Sequence, residues 1–146
     1  MVKQLIFSKI ESLERCVQRV RLKTPDRRQD LDDDLDRQDI IVLNLERAVR
    51  QSVDIAAHLL AELHQPAPMS MAEGFALLRR EGVIDHYIAG RMQRSVGFRN
   101  IAVHEYRLVD WDVVYAIITK HLDDFREYAR QIMIWLDKCG LDEKDS

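Results

Sequence analysis

Three residues with chemical capability fall within one short stretch, Arg99-Asn100-Ile101-Ala102-Val103-His104-Glu105-Tyr106. Arg99 is a permanently charged fork whose donors match phosphate oxygens, and His104 can exchange a proton near neutral pH. The phenol of Tyr106 offers a third participant or a handle for modification. An arginine beside a histidine is the minimum equipment for cleaving RNA without a metal. The spacing also admits a purely structural role, with Arg99 paired to a carboxylate, His104 capping a helix and Tyr106 packed. Residues five apart on a continuous helix lie about 140° apart around its axis, so Arg99 and His104 do not face one small ligand together. The helix could loosen after Arg99, or the side chains could converge from its edge. Otherwise two subunits could pool their motifs across a symmetric cleft.

Little else in the chain competes for a chemical role. The residues three before each histidine are Ile55, Ala61, Val83, Ile101 and Ile118, so the Glu-x-x-His signature of di-iron bundles is missing. His58, His64, His86 and His121 read as surface or satisfied core residues, and neither a metal nor a cofactor is expected. A glycine-rich phosphate loop and a Gly-x-Ser-x-Gly elbow are both absent. The carboxylates Asp30, Asp32, Asp33, Asp34, Asp36 and Asp39 lack the glycine and terminal glutamate of a calcium loop. They read instead as a solvated connector leading into a helix N-terminus, where negative charge is favourable.

The elements that must carry the motif are helical. With five Gly and three Pro in 146 residues, long helices are favoured over a sheet cut by turns. An apolar stripe of Ile6, Ile10, Leu13, Val17 and Val20 predicts a first helix over 2–23, ending before Thr24-Pro25. A second helix, 37–64, buries Leu35, Val42, Leu45, Val49, Ala56, Leu59 and Leu63. Ser70 and Glu73 form a capping box for a short third. The fourth starts near Asp85 and runs through Ile88, Met92 and Val96 to the motif. The fifth is capped by Asp110 or Asp112, carries Val114, Ile118, Phe125, Ala129, Ile132 and Leu136, and stops at Gly140. The expectation is an all-α, up-down bundle of about five helices. It forms one domain over residues 1–140 with a short polar tail, 141–146.

The longest apolar run, Val113 to Ile118, is far short of a membrane span. Lys3, Lys9 and Glu11 argue against a signal peptide. Cys16 and Cys139 read as reduced thiols of a cytosolic protein. The net charge of −3 opposes a whole-molecule affinity for nucleic acid. Yet residues 77–107 carry +3, through Arg79, Arg80, Arg91, Arg94, Arg99 and Arg107, while the remainder carries −6. A basic patch around the motif, with Arg91, Arg94 and Arg107 as RNA-binding candidates, is compatible with this distribution.

The string Arg99-Asn100-x-x-x-His104-x-Tyr106, near the end of a penultimate long helix, resembles the signature of the HEPN superfamily and closely that of its HepT toxin branch. Residues Glu46 to Ala56, with an acidic residue at Asp54, resemble the branch's second helix. Glu73-Gly74-Phe75 to Gly82-Val83-Ile84 is similar to its third-helix region, and Phe98 stands just before the arginine. The likeness spans Ile6 to Leu136. It implies a HEPN-like bundle acting as a symmetric homodimer, and a metal-independent endoribonuclease that serves as the toxin of a toxin–antitoxin pair. The implied partner is a minimal nucleotidyltransferase antitoxin that moves AMP from ATP onto the tyrosine corresponding to Tyr106. In that setting His104 is the expected general base, Arg99 the phosphate ligand and Asn100 a supporting residue. The expected product is a 2′,3′-cyclic phosphate, and the resemblance points first to transfer RNA as substrate, with messenger RNA still open. The alternative is a non-catalytic helical partner of a nucleotidyltransferase.

Overall fold

The apolar stripe of the first helix does fold as one face. In the computed structural model, which describes residues 2–139, α1 (Val2–Lys23) buries Ile6, Leu13, Val17 and Val20. Thr24 closes α1 by donating its hydroxyl to the Val20 carbonyl (2.8 Å), and Pro25 follows. A turn over Arg28–Leu31 leads to α2 (Leu35–Glu62), which packs against α1. Asp34 caps α2 by accepting from the Arg37 amide (3.0 Å). The negative stretch before α2 thus serves its N-terminus, as the charge pattern predicts.

Leu35 departs from expectation, since it is 70% exposed. It opens the first turn of α2, outside the core, and the neighbouring apolar position is filled by Leu31, fully buried in the preceding turn. Gln38 fastens that turn by donating to the Leu31 carbonyl (2.6 Å). The buried face of α2 comprises Ile41, Val42, Leu45, Ala48, Val49, Ile55, Ala56, Leu59 and Leu60. Two residues past the helix, His64 takes a left-handed φ of 59°, just ahead of Pro66.

Ser70 accepts from the Glu73 amide (3.1 Å) and opens α3 (Met71–Arg80). Its end turns on Gly82, whose φ of 79° suits a residue without a Cβ and lets the Val83 amide reach back to the Leu78 carbonyl (2.9 Å). Asp85 then caps α4 (His86–His104) through the Ile88 amide (2.8 Å). The last expected helix is present but interrupted. Asp110 caps α5 (Trp111–Ala116), a π-type turn covers Ile117–His121, and α6 (Asp123–Cys139) completes the bundle. Ile118, Leu122 and Phe125 remain in the core across this turn. The expected stop at Gly140 and the tail 141–146 lie outside the described residues.

All regular structure among the described residues is helical, and none of these helices is long and apolar enough to cross a membrane. Cys16 and Cys139 are free thiols. At the centre, Tyr128 of α6 is fully buried, meets Phe75 of α3 edge-on with ring centroids 5.5 Å apart, and donates to the Ser52 carbonyl on α2 (2.7 Å). One side chain therefore ties three helices. Tyr128→Phe should keep the packing and lose the hydrogen bond, lowering stability by about 1 kcal/mol. A lower urea midpoint with an unchanged m-value is the expected readout.

Candidate functional site

The motif occupies the last turn and a half of α4 and the connector after it. Two ion pairs fix the helix. Arg91 donates from Nε to Asp124 of α6 (2.9 Å), and Arg99 Nη2 lies 3.5 Å from Glu46 Oε1 on α2. The start of α4 is also fastened, because Gln131 of α6 accepts from the Asp85 amide (2.8 Å) and donates to its carboxylate (2.9 Å). The helix does not loosen after Arg99: it continues to His104. His104 is exposed at its C-terminal end, and the Glu105 amide closes the last turn on the Ile101 carbonyl (2.8 Å).

Arg99 is largely buried but weakly satisfied. Its contacts are long, 3.4 Å to Asn100 Oδ1 and 3.5 Å to Glu46, and its buried Nε has no acceptor among the described residues. Glu46 also faces Arg50 at 3.8 Å, so one carboxylate serves two guanidinium groups. The local balance is positive, and Arg99 retains donors for an anionic oxygen. Asn100 is exposed alongside.

Tyr106 begins a three-residue turn, Tyr106–Leu108, between α4 and α5. Its ring meets Trp111 edge-on with centroids 6.4 Å apart, and its hydroxyl donates to Asp39 Oδ1 on α2 (2.8 Å). Burial, then the hydrogen bond and negative charge of Asp39, push this phenol up to about 12. Tyr106 is thus neutral at physiological pH although 42% of it is exposed.

The expected arginines divide. Arg91 is committed to Asp124, whereas Arg94 and Arg107 are exposed and form no ion pair among the described residues. Arg91 and Arg94 border an apolar groove of about 500 Å³ between α4, α2 and the last helices, floored by Leu45, Met92, Phe98 and Phe125. Asp54, noted for its position in the second helix, pairs with Lys9 (3.6 Å) away from the motif. Sequence reasoning missed Glu46 and Asp39 as the partners of Arg99 and Tyr106. Local spacing holds no signal for either contact, because the partners lie 53 and 67 residues away. Among the described residues, no group of three or more His, Cys, Asp or Glu is placed to hold a metal ion.

Comparison with known proteins agrees in both sequence and shape. A family described as ribonuclease HepT-like matches residues 9–132. The mRNA nuclease HepT of Shewanella oneidensis is 32% identical over 124 residues, covering 85% of this chain and 92% of that protein. The tRNA nuclease HepT of Aphanizomenon flos-aquae is 31% identical over 92 residues, 63% of each chain. A solved complex of a tri-AMPylated S. oneidensis HEPN toxin with its MNT antitoxin superposes with a TM-score of 0.83 at 32% identity. That match covers 88% of this chain and 96% of the other.

The Tyr106–Asp39 contact can be titrated directly. A phenol whose folded pKa is raised supplies stability that is present below its unfolded value near 10 and lost as pH climbs through about 12. Asp39→Ala should bring the phenol part of the way back, burial being retained. Tyrosinate absorbance, taken as a difference against Tyr106→Phe, reads the shift. An unmoved transition would show that Asp39 does not act on this hydroxyl.

Proposed function

Because this chain belongs to the HepT-like ribonuclease family, we propose that it is a metal-independent endoribonuclease toxin cleaving RNA through Arg99 and His104, silenced when AMP is placed on Tyr106. The observation that carries this reading is the incompletely neutralised Arg99 on the same helix end as an exposed His104. Such a pair supplies phosphate binding and proton transfer without a cofactor.

In this mechanism His104 takes the proton from a ribose 2′-hydroxyl, and the 2′-oxygen attacks the adjacent phosphorus. The bond to the 5′-oxygen breaks, leaving a 2′,3′-cyclic phosphate, and the departing oxygen collects a proton from a second donor. Arg99 stabilises the charge that builds on the non-bridging oxygens. Asn100, within reach of the guanidinium, steadies its orientation. Arg94 and Arg107 extend the positive surface along the RNA backbone, a role that Arg91 performs less well because Asp124 already neutralises it.

The second donor is the His104 of a second copy. Since α4 is unbroken, one chain directs Arg99 and His104 apart, and a two-fold axis beside α4 would bring complementary halves together. The surface around the motif suits such a contact: Ile101, Val103 and Val113 are each nearly half exposed, and Leu108 more so. The partner enzyme is a minimal nucleotidyltransferase antitoxin. AMP on Tyr106 would place a bulky anion two residues from His104, opposing RNA by sterics and by charge. Transfer RNA and messenger RNA are the substrate classes named for the two relatives, and mapping cut sites would choose between them.

Purified, unmodified chain should cut RNA in EDTA, while His104→Ala and Arg99→Ala should be slower by roughly 10²–10⁴ with folding intact. Wild-type cleavage by His104→Ala would sink the catalytic assignment. A separate test concerns the dimer. Ile101→Glu should yield monomers by light scattering and lose cleavage together with assembly, whereas an active monomer would remove the need for a second copy.

A further inference from the structure

The contact between Tyr106 and Asp39 goes beyond holding a loop. The phenol is the residue proposed above to receive AMP, and its oxygen already donates a hydrogen bond of 2.8 Å to a carboxylate on α2. Asp39 is exposed and forms no ion pair among the described residues, so its negative charge is not committed elsewhere. Trp111 meets the ring edge-on, and the residue as a whole keeps 42% of its surface exposed to an incoming molecule. The nucleophile, a base and a clamp on the ring are thus supplied by three elements of the acceptor chain itself.

We propose that Asp39 is the general base for adenylyl transfer onto Tyr106, a catalytic residue contributed by the protein being modified. The phenol is neutral at physiological pH, so its oxygen must lose a proton as it bonds to phosphorus. When Tyr106 Oη attacks the α-phosphorus of ATP, that proton passes to the Asp39 carboxylate. The bond between the α-phosphorus and its bridging oxygen breaks, and the electron pair leaves on pyrophosphate. Asp39 then returns the proton to water. The 2.8 Å separation lies within the range for direct transfer, and protein kinases use an aspartate in the same way on a substrate hydroxyl. Afterwards the phenolic oxygen carries no hydrogen and its phosphodiester is anionic. It can neither donate to Asp39 nor rest comfortably beside it, so the adenylyl group is driven from α2 towards the positive motif.

This inference rests on Tyr106 being the acceptor, and the experiment separates the two claims. The full-length chain is incubated with its nucleotidyltransferase partner, magnesium and ATP, and initial rates are followed by intact mass. Wild type should gain AMP at Tyr106 and Tyr106→Phe should gain none. Label elsewhere in both proteins would overturn the acceptor assignment and the role of Asp39 with it. Given labelling at Tyr106, Asp39→Asn, whose amide oxygen can still accept from the phenol, should lower kcat by roughly 10²–10⁴ while KM for this chain and thermal stability hold, and Asp39→Ala should lower kcat as far while also losing the contact's contribution to stability. Asp39→Glu should recover part of the rate. Transfer to Asp39→Asn at the wild-type kcat, or a loss confined to KM, would rule out the proton-acceptor role.

Discussion

The persistence of α4 as a single helix to His104 is the constraint from which the site takes its form. A helix advances about 100° per residue, so the five steps from Arg99 to His104 turn the second side chain about 140° from the first. Arg99 is thereby directed at α2, where Glu46 meets it, while His104 stands in solvent at the helix end. The ion pairs at Arg91 and Arg99 hold α4 against α6 and α2, so the helix cannot rotate to reconcile the two directions without breaking partly buried charge pairs. The apolar residues left outside on Ile101 and Val103 belong to the same picture. They keep aliphatic surface exposed at the end of a helix that already packs against α2, α3 and α6.

The connector after α4 completes what the helix begins. Within six residues the chain leaves the helix at Glu105, makes a tight turn from Tyr106 to Leu108, buries Val109 and starts α5 on the Asp110 cap. So short a connector leaves Tyr106 little freedom, and its ring and hydroxyl remove more by meeting Trp111 and Asp39. The phenol is therefore held in place by folding, and in the proposed function this would spare the ordering entropy that a floppy acceptor would lose on modification.

What the sequence disclosed follows the range of the interactions involved. The stripe of α1, the caps at Ser70, Asp85 and Asp110, and the motif at the end of α4 rest on residues within a turn or two of each other. Periodicity and capping rules read such patterns directly. Leu35 failed because periodicity marks apolar positions without saying where a helix leaves the core; Leu31, outside the helical register, took its place. The π-type turn at Ile117–His121 was also hidden. No proline or glycine marks it, and the apolar spacing through Val114, Ile118, Phe125 and Ala129 looks like that of one uninterrupted helix. Glu46 and Asp39 were illegible as partners for a different reason: each contact joins α2 to a segment more than fifty residues on, and only packing brings them together.

If the chain acts as proposed, the electrostatics of the site tie catalysis and silencing to one cause. The chain is acidic overall, and its positive character is concentrated where Glu46 divides its charge between Arg50 and Arg99 and where Arg94 and Arg107 stand unpaired among the described residues. Such a patch attracts a phosphate through its charge alone, whether that phosphate belongs to an RNA backbone or to a nucleotide tethered nearby. Tethering makes the difference. An adenylyl group on Tyr106 would act at the high effective concentration of a short link, against which free RNA competes poorly whatever its sequence. Asp39 sharpens that outcome, because the carboxylate that receives the hydroxyl of the unmodified phenol repels the phosphodiester that replaces it. On the proposed function the same side chain thus favours opposite positions for Tyr106 before and after modification, and the arrangement that would bind RNA would also make the chain simple to block.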